Sequence, residues 1–380
     1  MKAFSHVIII LRVQKNYIWR EIMKKILSLF LILILSFTLL TACAPKEEPV
    51  EAPVETPAEE PAEEPVEEPS EQAAGEITKL GLGHVISIAK STDKEDGKNA
   101  KAQADVTIMA VGFDGEGKVV SAELDVAQTP IEFGEDMALV TDTGSEFKTK
   151  KELGPDYGMV KASAIGKEWF EQAQALEEWM VGKTVDEITG MTIEDGKTTE
   201  EDLVSSVTVG VEDYLAALEQ AWEEAIDVSG AETVGLGVKT SIAKSKSAEA
   251  DKGALAQVDT MIAATAFDKD GKVAGTVIDT AQVKINYDLD GKVETDKEGE
   301  LKTKNELGMD YGMNKASGIG KEWFEQARAL GDWMVGKTVD EITSLELEDG
   351  KATDEDLTSS VTIGIADYLE IVEKSSKTAK

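Results

Sequence analysis

The sequence predicts an α+β protein with two tandem homologous domains, each an antiparallel sheet packed with a few helices, behind a disordered acidic Pro/Glu stalk. Three observations lead to this expectation. The chain repeats itself, each repeat contains a hairpin pattern followed by helical periodicity, and a segment rich in Pro and Glu precedes the first repeat.

The second half of the chain repeats the first at a spacing of 154 residues, and residues 166–173 return letter for letter at 320–327. A period this long exceeds the 20–50 residues that are typical of solenoid repeats. Each copy is therefore expected to be a whole domain with its own core. We expect these domains at 76–228 and 229–375.

The first 43 residues are expected to be a leader. Residues 26–40 form a short apolar run behind Lys24 and Lys25, and small residues lead to Cys43, as in a secretory signal. The ending resembles the lipobox of bacterial lipoproteins, which implies that Met23 is the true start and that Cys43 carries lipid. Such an anchor would hold the protein on the extracytoplasmic face of the membrane. A transmembrane anchor kept whole is the alternative.

Residues 44–75 form the predicted stalk. Pro stands at every fourth position from 45 to 69, and Glu fills most of the gaps. Such a segment cannot bury a core and stays extended.

The net charge of the chain is −35. This charge argues against binding to nucleic acid, because a polyanion is bound by patches of Lys and Arg on a protein.

Cysteine and histidine chemistry is nearly excluded by count. Cys43 is the only cysteine, and His84 is the only histidine outside the leader. The chain therefore offers no disulfide and no thiolate metal ligand once Cys43 is lipidated. It also offers no Cys or His nucleophile that is present in each of the two repeats.

Each repeat opens with predicted strands. The runs Ser87–Ser91, Ala102–Phe113 and Val119–Thr129 are rich in apolar residues that partly alternate. Asp and Gly between Phe113 and Val119 indicate a hairpin turn; a calcium loop is the alternative, but it needs more spaced carboxylates.

Helical periodicity follows the strands. Apolar residues from Ile165 to Met180 recur at helical spacing around Trp169, which favours a core role for this ring over a stacking role. Thr184 and Glu187 form the pattern of a capping box.

Hydroxyl side chains cluster before the last element of each repeat. Ser205, Ser206 and Thr208 lead into a helix that we expect to run from about Val209 to Ala225. The start of a helix can seat a phosphate. The alternative is an ordinary N-cap, because Ser and Thr are common there.

The segments Asp202 to Thr208 and Asp356 to Thr362 resemble the Asp-x-x-Ser/Thr-Gly-Ala-Thr signature of FMN-binding domains, with Ser206-Val207 in place of Gly-Ala and the same change in the second copy. In that family a flavin transferase esterifies the FMN phosphate onto the final threonine. The resemblance implies a set of cofactor-binding residues in each repeat: Thr208, Thr362, Ser205, Ser206, Ser359, Ser360, Asp202 and Asp356. It covers nearly all of 76–375.

The identical loops around Tyr157-Gly158-Met159 and Tyr311-Gly312-Met313 are candidates for contacts with the flavin ring, or else plain turns. Two such domains behind a lipobox resemble the surface flavoproteins of Gram-positive extracellular electron-transfer chains.

The resemblance implies a lipid-anchored electron carrier, not an enzyme, with two covalent FMN groups and no catalytic or metal residues. Its partners would be a flavin transferase, a membrane quinone-linked reductase as donor, and iron or free flavin as acceptor. Two alternatives remain open. One is a non-redox solute-binding or adhesive lipoprotein, and the other is a flavin-dependent reductase.

Overall fold

The computed structural model describes residues 75–380, so the predicted leader, Met23, Cys43 and nearly all of the stalk lie outside the described residues. The architecture is α+β, as predicted. A six-stranded antiparallel sheet has the order β3-β2-β1-β6-β7-β8, and helices pack against it.

Each repeat contributes three long strands, a small hairpin and a set of helices. In the first repeat these are β1 (Ile77–Ser87), β2 (Ala100–Phe113), β3 (Val119–Phe133), α1 (Lys150–Leu153), α2 (Trp169–Met180), α3 (Val185–Thr189), β4 (Ile193–Glu194), β5 (Lys197–Thr198) and α4 (Glu212–Glu223). In the second repeat they are β6 (Ile226–Ser241), β7 (Leu255–Asp268), β8 (Val273–Asn286), α5 (Lys304–Leu307), α6 (Trp323–Met334), α7 (Val339–Thr343), β9 (Leu347–Glu348), β10 (Lys351–Ala352), α8 (Glu355–Thr358) and α9 (Ala366–Thr378). A 3₁₀ turn follows α1 at Gly154–Tyr157 and α5 at Gly308–Tyr311.

The two repeats meet at the centre of the sheet. Strand β1, the first of the first repeat, pairs antiparallel with β6, the first of the second repeat. Ile77 lies opposite Ala231 in this pair. These two residues are separated by the repeat period of 154. A pseudo-two-fold axis therefore passes between them and relates the two copies.

The core has parts that belong to one repeat and parts that both repeats share. The helices of each repeat cover a cluster of their own, which contains Trp169 in the first copy and Trp323 in the second. Two further clusters combine residues from both copies, as where Phe133 meets Tyr287 at 5.5 Å between ring centroids. The described residues thus belong to one compact unit, and the boundary at 228/229 stays a prediction.

Polar contacts also join the copies. His84 of β1 lies with its Nε2 atom 3.1 Å from the Glu306 carboxylate of α5. At the equivalent place on the other side of the axis, the Lys374 ammonium donates to Glu152 at 2.8 Å. The same interface is therefore built from different side chains in the two directions.

Local predictions were mostly confirmed. Asp114 accepts the N–H groups of Glu116 and Lys118, which makes the segment a hairpin turn. The capping box at Thr184 is present. The predicted strand Ser87–Ser91 was wrong, because β1 ends at Ser87 after a run that contains two glycines.

Those glycines are explained by the closing helix of each repeat. A Cβ atom on Gly83 would lie 1.8 Å from the carbonyl oxygen of Ala217 in α4. Equivalent Cβ atoms on Gly81, Gly235 and Gly237 would lie within 2.0 Å of a helix carbonyl oxygen. The repeated Gly-x-Gly motif therefore lets α4 and α9 lie directly on the two central strands.

Within residues 75–380, no helix combines the length and the apolar character needed to cross a membrane.

We expect Gly83→Ala to lower the free energy of unfolding by about 3 kcal/mol, because the added methyl group forces the helix off the sheet. Urea unfolding followed by circular dichroism measures this. Gly115→Ala is the matched control, since a Cβ there meets only the Thr78 hydroxyl at 3.9 Å. Equal stability of the two variants would contradict the packing role.

Candidate functional site

The threonine of the repeated motif lies before the closing helix and not at its first turn. Helix α4 begins at Glu212, and its N-cap residue Val211 makes no side-chain hydrogen bond. The expectation that Ser205, Ser206 and Thr208 sit where the helix begins was wrong. The segment before the helix is anchored to other parts of the fold: the Val211 N–H donates to the Gly196 carbonyl between β4 and β5, and the Thr208 N–H donates to Gln172.

A buried glutamine holds this threonine in each repeat. Both the N–H and the Oγ1 of Thr208 donate to Oε1 of Gln172 in α2, at 2.8 and 3.2 Å. Thr362 makes the same two bonds to Gln326, at the same distances. Both glutamines are 0% exposed.

The other end of the glutamine amide is also fixed. Nε2 of Gln172 donates to the Ser163 hydroxyl at 3.2 Å and to the Lys167 carbonyl at 3.3 Å. One side chain therefore ties the threonine segment to the loop that precedes α2. Sequence reasoning missed this residue, although it is a polar residue on the apolar face of a helix in a stretch repeated without change.

A lysine surrounded by aromatic rings lies in the same part of each repeat. The Lys150 ammonium is 5.1 Å from the ring centre of Tyr157 and 5.2 Å from that of Trp169. The Trp169 indole N–H donates to the Tyr214 hydroxyl at 3.0 Å. We call Lys150, Tyr157, Trp169 and Tyr214 the lysine cage of the first repeat. The second repeat has the equivalent cage: Lys304, Tyr311, Trp323 and Tyr368.

The caged lysines are poorly neutralised cations. Burial lowers the pKa of Lys150, with a further contribution from Lys90. Burial lowers the pKa of Lys304 to about 8, and Lys244 adds to the effect. The nearby carboxylate of Asp105 is already paired, at 2.7 Å, with Lys90. A bound anion would relieve this deficit of negative charge.

A small cavity connects the cage to the threonine segment. It has a volume of about 160 Å³, and its lining includes Lys150, Tyr214 and Gly210, which is two residues after Thr208. A Cβ on Gly210 would meet only the Gly196 carbonyl oxygen at 3.6 Å, and the backbone there is not left-handed. Neither packing nor backbone geometry requires a glycine here, and the missing side chain leaves room for a ligand to approach the backbone closely.

The other predicted cofactor-binding residues differ in their exposure and in their contacts. Ser205 and its equivalent Ser359 are exposed, while Ser206 and Ser360 are half-buried. Asp202 accepts the indole N–H of Trp179 at 2.8 Å, which is away from the cage. The equivalent Asp356 lies in the first turn of α8.

The substitution of Val for Ala in the motif has a packing reason. Val207 is 1% exposed and Val361 is 2% exposed, and each belongs to the helical core of its repeat. The branched side chain therefore faces inward and leaves the outer face of the segment open.

The Tyr-Gly-Met loops are ordered by a buried carboxylate. Glu168 accepts the N–H of Met159 at 2.8 Å and that of Val160 at 3.1 Å. In the second repeat Glu322 accepts the N–H of Met313 in the same way. Of the predicted ring-contact residues, only Tyr157 and Tyr311 reach the cage; the half-buried methionines pack against the cores.

A buried aspartate anchors the helix that carries the caged lysine. Asp125 of β3 accepts the N–H groups of Val126 at 2.7 Å and Lys151 at 3.1 Å. Burial raises its pKa to about 6, against hydrogen bonds that lower it. Asp279 occupies the equivalent position, and burial raises its pKa as well.

Comparison with known proteins gives one partial match to report. A stretch of 94 residues is 37% identical to a protein named chlorophenol reductase from Desulfitobacterium hafniense. It covers 22% of this chain and 29% of that protein, so the chain spans less than a third of its relative. No known family profile matches the chain, and no solved structure matches it.

The match supports a redox-related role. It also corrects one prediction: we expected a carrier that is not an enzyme, and the relative bears the name of a reductase, which is an enzyme. Within residues 75–380, no group of three or more His, Cys, Asp or Glu residues could hold a metal ion.

The raised pKa of Asp125 predicts a pH dependence of stability. The folded protein binds this proton more tightly than the unfolded chain, so the contribution of Asp125 to stability falls as the pH rises from about 4 to about 6. Asp125→Asn removes the ionisation but keeps a hydrogen-bond acceptor. We expect the free energy of unfolding of this variant, relative to that of the native protein, to be about 2–3 kcal/mol higher at about pH 7 than at about pH 4. Urea unfolding at both pH values measures the difference; the same difference at both would contradict the assignment.

Proposed function

We propose that the chain is a redox protein that carries one FMN in each repeat, joined by a phosphoester to Thr208 and to Thr362. The observation that carries the proposal is an arrangement that recurs in both copies, in which a threonine is held by a buried glutamine beside a poorly neutralised lysine. In the first copy a small cavity lies next to this lysine.

The residues fit such a cofactor. The phosphate and the reduced flavin are anionic, and Lys150 supplies a cation that lacks a full partner. The cavity of about 160 Å³ is smaller than the roughly 300 Å³ of an ordinary ligand pocket. It would therefore hold only part of the cofactor, and the rest would stay open to electron-transfer partners. When bound, FMN supplies one- and two-electron chemistry.

The protein residues have distinct tasks in this proposal. Gln172 orients Thr208 by accepting both its hydroxyl and its N–H hydrogen. Esterification removes the hydroxyl proton, and the N–H bond at 2.8 Å remains to hold the segment. Lys150 favours negative charge nearby. Ser206 and Ser360, which are half-buried, are the hydroxyls best suited to lie beside the phosphate.

The proposed setting follows from the sequence. Cys43 would carry the lipid anchor on the extracytoplasmic face of the membrane, and a flavin transferase would load both threonines. A membrane quinone-linked reductase would donate electrons, and iron or free flavin would accept them. The reductase name of the relative supports a role in a reductive reaction.

We expect the intact mass of the protein to rise by two FMN increments after co-expression with a flavin transferase. Thr208→Ala and Thr362→Ala should each remove one increment, because each deletes one acceptor hydroxyl. Thr199→Ala is the matched control, since it removes a nearby threonine that is half-buried, as Thr208 is. A colourless product with an unchanged mass would contradict the proposal and would favour the solute-binding or adhesive alternative.

We expect Lys150→Met to shift the reduction potential of the flavin in the first repeat to more negative values. The reason is that a nearby cation stabilises the anionic reduced flavin, and losing about 1.4 kcal/mol corresponds to ~30 mV for two electrons. Spectroelectrochemistry of the Thr362→Ala background isolates this site. Lys148→Met, at an exposed position two residues before, is the control, and a potential that does not move in Lys150→Met would contradict the role of the cage.

A further inference from the structure

The two repeats differ in charge and in open space at one place that their pseudo-symmetry makes equivalent. In the first repeat, the space between β3, α1 and α2 is filled by four alternating charges. The Lys151 ammonium lies 2.5 Å from Glu123 and 2.6 Å from Glu177, and the Lys380 ammonium lies 2.7 Å from each of the same carboxylates. Glu123 and Glu177 are 4% and 1% exposed, so the space is closed.

The second repeat has lost all four charges. One repeat period away, Val277 stands at the position of Glu123 and Asn305 at that of Lys151. Gly331 stands at the position of Glu177, and Ile226 at that of Lys380. Three of these four, all but the glycine, line a cavity of about 500 Å³. Smaller, uncharged residues therefore stand where the first repeat has an ion cluster, and they leave an open space of the size that binds small molecules.

The cavity has an apolar floor. Ile226, Val277, Ile278 and the half-buried ring of Phe324 line it. The amide of Asn305 donates to the Ile278 carbonyl at 3.0 Å, and no donor among residues 75–380 bonds to its Oδ1 atom. An aromatic guest could stack on Phe324 and donate one hydrogen bond to Asn305.

The rim of the cavity is acidic. Four carboxylates line it against the single guanidinium of Arg328, namely those of Glu224, Asp227, Glu306 and Asp332. Burial, together with the charge of Glu306, raises the pKa of Glu224. Such a rim repels anions. The apolar floor favours an uncharged guest, because burying a charge there costs desolvation energy.

We propose that this cavity of the second repeat is a binding site for a small neutral aromatic molecule that carries a hydroxyl group, of the size of a phenol. Asn305 and Phe324 directly follow Lys304 and Trp323 of the second lysine cage. A guest in the cavity would thus contact residues that are adjacent in sequence to those of the cage. The site does not depend on flavin, because every residue that forms it belongs to the chain.

Binding of p-cresol to the flavin-free chain tests the proposal. This probe is neutral at pH 7, and p-toluate has the same ring with a negative charge. Ligand-observed NMR should give saturable binding of p-cresol and none of p-toluate. Phe324→Ala should weaken p-cresol binding about tenfold, because the stacking surface is lost. Phe170→Ala, the equivalent change in the first repeat, should leave it unchanged.

A second variant covers the case in which Phe324→Ala does not fold. Val277→Phe fills the cavity from a partly exposed position and should abolish binding with a retained melting temperature. Gly331→Glu is unsuitable, since a Cβ there would lie 2.9 Å from the Thr276 carbonyl oxygen. The proposal is overturned if p-cresol does not saturate, if p-toluate binds as tightly, or if the folded variants of the cavity bind as well as Phe170→Ala.

Discussion

One buried amide in each repeat fixes the geometry on which the candidate site depends. Gln172 joins the threonine segment to the loop before α2, and Gln326 does so in the second copy. An amide with 0% exposure must have its hydrogen bonds made inside the protein, since leaving them unmade costs about 1–3 kcal/mol. The threonine hydroxyl is consequently held in one orientation at a half-buried surface. The lysine cage lies beside it because Trp169 precedes the glutamine by three residues on the same helix.

The pseudo-two-fold arrangement separates what both copies keep from what each has changed. The glutamine, the threonine and the lysine cage are the same in both copies, and so are the buried aspartates below them. The interface between copies differs, with His84 against Glu306 in one direction and Lys374 against Glu152 in the other. The region of Glu123 and Glu177 differs still more. The two repeats therefore carry equivalent candidate sites in unequal surroundings.

Much of the fold follows from local sequence signals. The α+β class, the hairpin turn, the capping boxes and the core position of Trp169 all depend on residues that are close along the chain, and these predictions were confirmed. The shared sheet could not be read in this way, because the pairing of β1 with β6 leaves no periodic pattern. The Gly-x-Gly motif was visible, but its meaning depends on helix carbonyls more than 130 residues away in sequence from Gly83 and Gly237.

The candidate site was predicted in part for the same reason. The motif pointed to Thr208 and Thr362, but the glutamine and the caged lysine are distant from them in sequence and became visible only in the fold. The helix start was misplaced because the residues before it are tied to distant parts of the fold, Val211 to Gly196 and Thr208 to Gln172. The claim at the centre of this account is that both threonines carry flavin. Peptide mapping of protein isolated from its native cells tests it most directly: the tryptic peptides 198–239 and 352–374 should each carry one FMN phosphoester, and finding both peptides unmodified would contradict the account.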